Sequence, residues 1–279
     1  MPDFPKRVSF TKTWHSKPYP FISPTRPELS AMGKNVVVTG GGTGIGLATA
    51  FAFAKAEAKS VSMIGRRLEK LQAGVESLNS TTDEQKTQVF YQVAGLSDAE
   101  QVKLAFHAIA NEFGKIDILV SNAGSLPPFG LIVGYNAKDL VRGFEGKVLS
   151  AFNAVQAYLP LAEADPIILN IYTCLVTTTP VPMTSAYAIT KAAALKMMEY
   201  LGAENPRLRV VCIQPGWVPT DMNGHQTEAP DVAELPAHFL MWIASPETQF
   251  LKGKFVWANC DAEELLARAD EIQKSKLLN

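Results

Sequence analysis

Apolar residues along this chain come in short runs that alternate with longer amphipathic stretches. Three consecutive valines at 36–38 read as a buried strand. After a glycine-rich turn, Leu47, Ala50, Phe51 and Ala54 recur at i, i+3, i+4 and i+7, the spacing of one apolar helix face. The alternation then repeats. Further strands are expected at 60–65, 88–93, 115–121, 167–173, 208–214 and 254–258. Helices are expected at 66–80, 98–113, 137–159, 185–201 and 231–243, and a charged amphipathic helix closes the chain. The Pro-Pro-Phe-Gly segment at 127–130 and the stretch 215–230 read as loops.

Strands and helices in this order predict an α/β fold: a doubly wound, mostly parallel seven-stranded sheet with helices on both faces, in a single domain over 34–279. Ligands bind such a sheet beyond the carboxyl ends of its strands, where the strand order reverses. Residues 1–33 form a proline-rich arm without periodicity. Its aromatics Phe10, Trp14, Tyr19 and Phe21 suggest packing on the body or on a neighbouring subunit.

With 279 residues, 47% hydrophobic and 19% charged, the composition is that of a globular protein. A net charge of -1 gives no reason to expect nucleic acid or an anionic membrane as partner. Cys174, Cys212 and Cys260 lie far apart, which points away from a disulfide framework or zinc site and towards a reducing compartment. The N-terminus lacks a signal-peptide core, and Asp3 and Glu28 argue against a transit peptide, so a cytoplasmic location is expected. The uncharged stretch 166–190 could span a bilayer by length, but Pro166, Pro180 and Pro182 make it a strand followed by a loop. His15, His107, His225 and His238 show no metal-ligand spacing, so no metal is expected.

Two local patterns carry chemistry. In VVVTGGGTGIG (36–46), a strand, a glycine turn and a helix N-terminus together make a pyrophosphate site. Tyr187 and Lys191, at i and i+4, share one helical face. A lysine ammonium there is expected to lower the phenol from about 10 towards neutrality and fit it for acid–base work.

Thr39-Gly40-x-x-x-Gly44-Ile45-Gly46, Asn122-Ala123-Gly124, Tyr187-x-x-x-Lys191 and Pro215-Gly216-x-Val218-x-Thr220 occur in the order and spacing of one family. Over about residues 34–260 the chain resembles a short-chain dehydrogenase/reductase, a Rossmann-type oxidoreductase. The resemblance implies that Gly40, Thr43, Gly44, Ile45 and Gly46 cradle the cofactor pyrophosphate. Asn122 and Gly124 would border the nicotinamide ribose, Lys191 would hold its hydroxyls, and Pro215, Gly216, Val218 and Thr220 would cover the nicotinamide carboxamide and the pyrophosphate. Tyr187 would then exchange a proton with the oxygen of a carbonyl or secondary alcohol. The second strand ends in Ile64-Gly65 without the acid that binds the ribose of NAD. Arg66 and Arg67 follow, so NADP is expected over NAD. The helices 137–159 and 185–201 would pair across a two-fold axis into a homodimer or homotetramer.

Three positions depart from the family pattern. Anchoring on Asn170-Ile171 puts Thr173 where a serine usually donates to the substrate oxygen, whereas counting back from Tyr187 reaches Cys174. Thr173 is the choice, because a thiol donates poorly. Lys147 replaces the family's asparagine, and with Phe144 and Ala151 on its face it is expected to be partly buried. Near Lys191 it should lower one lysine pKa. Gly95 replaces an acid beside the adenine, leaving the Leu96 backbone to contact it. The loop residues Trp217, Met222 and His225, with 127–131, are expected to line a pocket for a moderately hydrophobic small molecule. The competing expectation is a fold repurposed for non-redox chemistry or nucleotide-sensing regulation.

Overall fold

Seven strands, β1 (Asn35–Thr39), β2 (Ser60–Gly65), β3 (Gln88–Val93), β4 (Ile116–Ser121), β5 (Ala162–Ile171), β6 (Arg209–Gln214) and β7 (Phe255–Trp257), form one parallel sheet. Their order is 3-2-1-4-5-6-7, so the connection reverses direction between β1 and β4. That opens a crevice at their carboxyl ends. The computed structural model describes residues 9–81, 86–275 and 278.

The period-2 alternation of each strand sorts its side chains between two cores. Val36, Val38, Ile118, Val120, Val211 and Ile213 face α1 (Gly44–Lys55) and α7 (Glu234–Ala244). Val37, Leu119, Ile168 and Val210 face α3 (Ala99–Phe113), α5 (Ser150–Tyr158) and α6 (Ser185–Glu204). Both faces are covered, as an all-parallel sheet requires. Between β2 and β3 runs α2 (Leu68–Thr81). The arm joins the first core through Ile22 and Leu29, both buried. Each such side chain contributes about 1.5–3 kcal/mol on burial. Residues 1–8 of the arm, Asp3 among them, lie outside the described residues.

Three expected elements are corrected. The helix expected at 137–159 is α4 (Ala137–Phe144), a π-turn at Glu145–Leu149, and then α5. The loop after β4 presses on this helix. A Cβ at Gly143 would lie 2.8 Å from Pro127, and one at Gly146 would lie 2.1 Å from Ser125 Oγ. Ser150 Oγ donates to Glu145 O across the widened turn at 2.9 Å. A sequence pattern with period 3.6 cannot register one extra residue per turn.

The strand expected at 167–173 starts at Ala162 and ends at Ile171. A bulge opposite Ile116 and Ile118 lets Pro166 sit within it. The closing helix breaks at Arg268 into α8 (Ala262–Ala267) and α9 (Ala269–Lys274). Among the described residues, no helix is long and apolar enough to cross a membrane.

Candidate active site

The turn between β1 and α1 is built for close approach. Gly40 and Gly44 have φ of 66° and 55°, where a Cβ would be strained. At Gly46 a Cβ would lie 2.2 Å from Gly40 O, so only glycine lets α1 start this close to the strand. Thr39 Oγ1 ties the turn to β4. It accepts from the backbone of Asn122 and Ala123 at 3.1 and 3.2 Å, and Asn122 Nδ2 donates to Thr39 O at 3.0 Å. The amide of Asn122 is therefore spent on holding the two strand ends together.

A cavity of about 1070 Å3 runs along the carboxyl ends of the strands. Gly40, Thr43, Gly44, Ile45, Arg66, Leu96, Asn122, Gly124, Thr173, Tyr187, Lys191, Pro215, Gly216, Val218 and Thr220 all line it, whereas Gly46, expected with them, lies behind the wall against Gly40 O. This glycine-formed cradle, open to a long cavity, fits a dinucleotide.

At the β2 end the two arginines divide. Arg67 bonds Asp221 Oδ2 at 2.8 Å and Thr43 Oγ1 at 3.1 Å, bridging the glycine turn to the loop after β6. Arg66 is exposed at the rim. The Gly95 amide is held by Gln101 at 2.9 Å, and Leu96 O accepts from Asn153 Nδ2 at 3.0 Å.

At the other end, α6 places Tyr187 and Lys191 one turn apart. Both open choices, Thr173 and Cys174, line the cavity with Tyr187. Thr173 Oγ1 accepts from Leu175 N at 3.4 Å, while the Cys174 amide is held by Gln214 Oε1 at 2.9 Å. The expected lowering of the phenol is not found. Lys191 Nζ lies 5.5 Å from the Tyr187 ring and donates to Ile171 O at 3.1 Å. Burial, with Cys174 adding to it and Thr173 opposing, pushes the phenol well above its ordinary range.

Lys147 is buried completely rather than in part, at 1% exposure. The π-turn aims its Nζ at Ile171 O, 3.3 Å away, and Ala123 O, 3.4 Å away. Lys191 donates to the same Ile171 O, which brings the two amino groups together. Burial pulls Lys147 down to about 8, and burial together with the Lys147 charge drives Lys191 well below its ordinary value.

Trp217, Met222 and Phe129 line the cavity as expected, but Pro127, Pro128, Leu131 and His225 do not. His225 turns outward to Asp221 Oδ1 at 2.9 Å. Sequence reasoning missed Gln214, whose side chain holds the Cys174 amide and donates to Gly216 O at 3.3 Å. A polar residue ending an otherwise apolar strand was its only signal. Among the described residues, no group of three His, Cys, Asp or Glu could hold a metal.

A family model described as short chain dehydrogenase matches residues 34–231. A short chain dehydrogenase/reductase of Claviceps purpurea is 32% identical over 272 residues, covering 94% of this chain and 90% of the relative. A counterpart in Aspergillus aculeatus is 30% identical over 95% of this chain and 93% of its own length. A solved short chain dehydrogenase of Burkholderia cenocepacia in complex with NADP is 26% identical, with a TM-score of 0.73. It covers 81% of this chain and 96% of that one.

Proposed function

The chain belongs to the short-chain dehydrogenase/reductase family of oxidoreductases, and on that premise we propose that it is an NADP(H)-dependent carbonyl reductase, acting on a small, moderately hydrophobic molecule and reversible in principle. The observation that carries this reading is a single cavity lined at one end by Thr173, Tyr187 and Lys191 and at the other by the glycine cradle.

The cofactor, when bound, supplies the hydride. Gly40, Thr43, Gly44, Ile45 and Gly46 receive its phosphates on backbone N–H groups and the positive end of α1. Arg66 at the rim pairs with a ribose 2′-phosphate, and Arg67, already holding Asp221, closes the turn beside it. Leu96, Asn122 and Gly124 line the wall, with Pro215, Gly216, Val218 and Thr220 opposite. The NADP in the Burkholderia relative supports the choice over NAD.

Thr173 donates to the substrate oxygen, and Tyr187 delivers its proton there as negative charge develops. A phenol kept protonated by burial is suited to that task at neutral pH. Lys191 positions the ribose hydroxyls, with Lys147 beside it on the same acceptor, Ile171 O. Trp217, Met222 and Phe129 supply the apolar wall for the substrate. Consumption of NADPH with a panel of aldehydes and ketones tests the reading. The buried lysine pair favours a second reading, a nucleotide-binding protein without redox turnover. It predicts NADPH binding with no carbonyl consumed.

We further propose a homodimer or homotetramer. Val141, Leu149, Phe152, Ile189 and Tyr200 are apolar or aromatic and exposed on α4, the π-turn, α5 and α6. Phe152→Lys should shift sedimentation towards the monomer, and an unchanged profile would exclude this interface. A cytoplasmic location and the division into an arm (1–33) and one domain (34–279) belong to the same reading.

A further inference from the structure

We propose that residues 9–19, which precede the dinucleotide fold, position the loop over the active-site cavity, with Asn259 as the residue that couples the two. The functional meaning of this coupling rests on the reading above. Its physical existence does not.

The loop after β6 closes on itself. Trp217 N donates to Asp231 Oδ2 at 2.7 Å, and Asp231 N donates back to Trp217 O at 3.2 Å. The segment between those residues, including the cavity-lining Val218, Thr220 and Met222, is closed by this stem and tied at Asp221 to Arg67. The seat is tight. Gly216 has φ of 91°, and a Cβ there would lie 2.5 Å from Asp231 Oδ2.

The stem is held from outside by the arm. Asn259 Nδ2 donates to Asp231 Oδ1 at 2.9 Å and to His15 O at 2.8 Å. In return, His15 N donates to Asn259 O at 2.8 Å. One residue on, Ser16 O accepts from Val232 N at 3.2 Å. Asn259 is fully buried and Asp231 nearly so, at 0% and 4% exposure. A carboxylate that far from water must be met by donors, and Asn259 is one of two side-chain or backbone groups that reach it.

The arm in turn is fixed on α8. Lys12 N and Thr13 N donate to the Glu264 carboxylate at 2.7 and 2.9 Å. His15 Nε2 lies 2.8 Å from Asp261 Oδ2, and its ring stacks on Tyr19 at 3.6 Å. Neither residues 9–19 nor Asn259 falls within the segment matched by the family model, which ends at Asp231. A continuous set of hydrogen bonds thus runs from α8 through the arm and Asn259 to Trp217. Ordering the loop beforehand reduces what ligand binding must immobilise, so the coupling should act on affinity rather than on the chemical step.

The test uses hydrogen exchange of the full chain without ligand, comparing wild type with Glu264→Ala and Asn259→Ala. Glu264 touches the arm and not the loop, so an effect of Glu264→Ala on the loop travels through the arm when residues 9–19 also exchange faster and the backbone from 259 to 267 keeps its wild-type rate. In both variants, peptides covering 217–231 should exchange roughly ten-fold faster, with those of β1 and β4 unchanged. KM for NADPH should rise about five-fold while kcat stays within about two-fold. The proposal is overturned if Glu264→Ala speeds exchange in residues 9–19 and leaves 217–231 at the wild-type rate. If Asn259→Ala loosens the whole protein, the Glu264→Ala result decides. Coupled exchange without NADPH consumption would uphold the coupling and reject the oxidoreductase reading.

Discussion

Lys147 and Lys191 direct their amino groups at one acceptor, the carbonyl of Ile171, at 3.3 and 3.1 Å. Two ammonium groups so close, in so little water, repel one another, and the pair relieves this by giving up a proton. The π-turn in the helix after β4 creates the encounter, because it swings Lys147 inward beneath β5.

The first consequence is a stability that depends on pH. Lys147 releases its proton near pH 8 in the folded protein, against an ordinary 10.5 in the unfolded chain. Below pH 8 both states are protonated and the fold bears the full cost of the buried charge. As pH rises through this value, the unfolded chain keeps its proton longer and the fold gains. From pH 7 to 9, wild type should gain at least about 1 kcal/mol relative to Lys147→Met. Urea unfolding of both proteins at the two pH values measures this, and a pH-independent difference would contradict the buried ammonium.

Catalysis should register the same pair. Lys191 is depressed by burial and then by the charge on Lys147. In Lys147→Asn the second cause disappears, so Lys191 keeps its proton to higher pH and the alkaline limb of carbonyl reduction moves up. Tyr187 contributes no limb near neutrality, since burial keeps its phenol protonated. Superimposable profiles for the two proteins would deny Lys147 any part in proton handling.

Thr173 and Cys174 separate cleanly. Thr173 carries a hydroxyl on the cavity wall that Tyr187 also lines, whereas the Cys174 backbone is held by Gln214. Thr173→Val should lower kcat about 100-fold, as for loss of one donor to a developing oxyanion. Cys174→Ala should stay within about three-fold. The reverse ranking would assign the donor to position 174.

On the proposed reading, Arg66 selects NADPH over NADH. It stands at the rim while Arg67 is engaged with Asp221 and Thr43. Losing a charge-assisted contact to a 2′-phosphate costs about 1.5–3 kcal/mol, or 10- to 100-fold in affinity. Titration of Arg66→Ala by fluorescence should show that loss for NADPH and little change for NADH. Equal losses would mean that Arg66 does not read the phosphate.

Much of the fold was legible because its signals are local. The valine run, the glycine turn and each helix face are written within about a dozen residues, and a parallel sheet covered on both faces followed from their alternation. Tyr187 and Lys191 were legible for the same reason, one helical turn apart. What escaped was long-range. The bond between His15 and Asn259 joins residues far apart in sequence, and nothing near either one announces it. The burial of Lys147 depends on the loop after β4 pressing on Gly143 and Gly146, which no helical periodicity records. The phenol of Tyr187 was expected to be acidic from its neighbour alone. Surroundings contributed by β5 and the segment after it reversed the direction.

The most direct test compares wild type with Tyr187→Phe, following nicotinamide absorbance with NADPH and a panel of carbonyl compounds. The account predicts turnover by wild type and a loss of about 100- to 10,000-fold in kcat for the variant, with NADPH still bound. A variant that reduces the same carbonyl at the wild-type rate would contradict it.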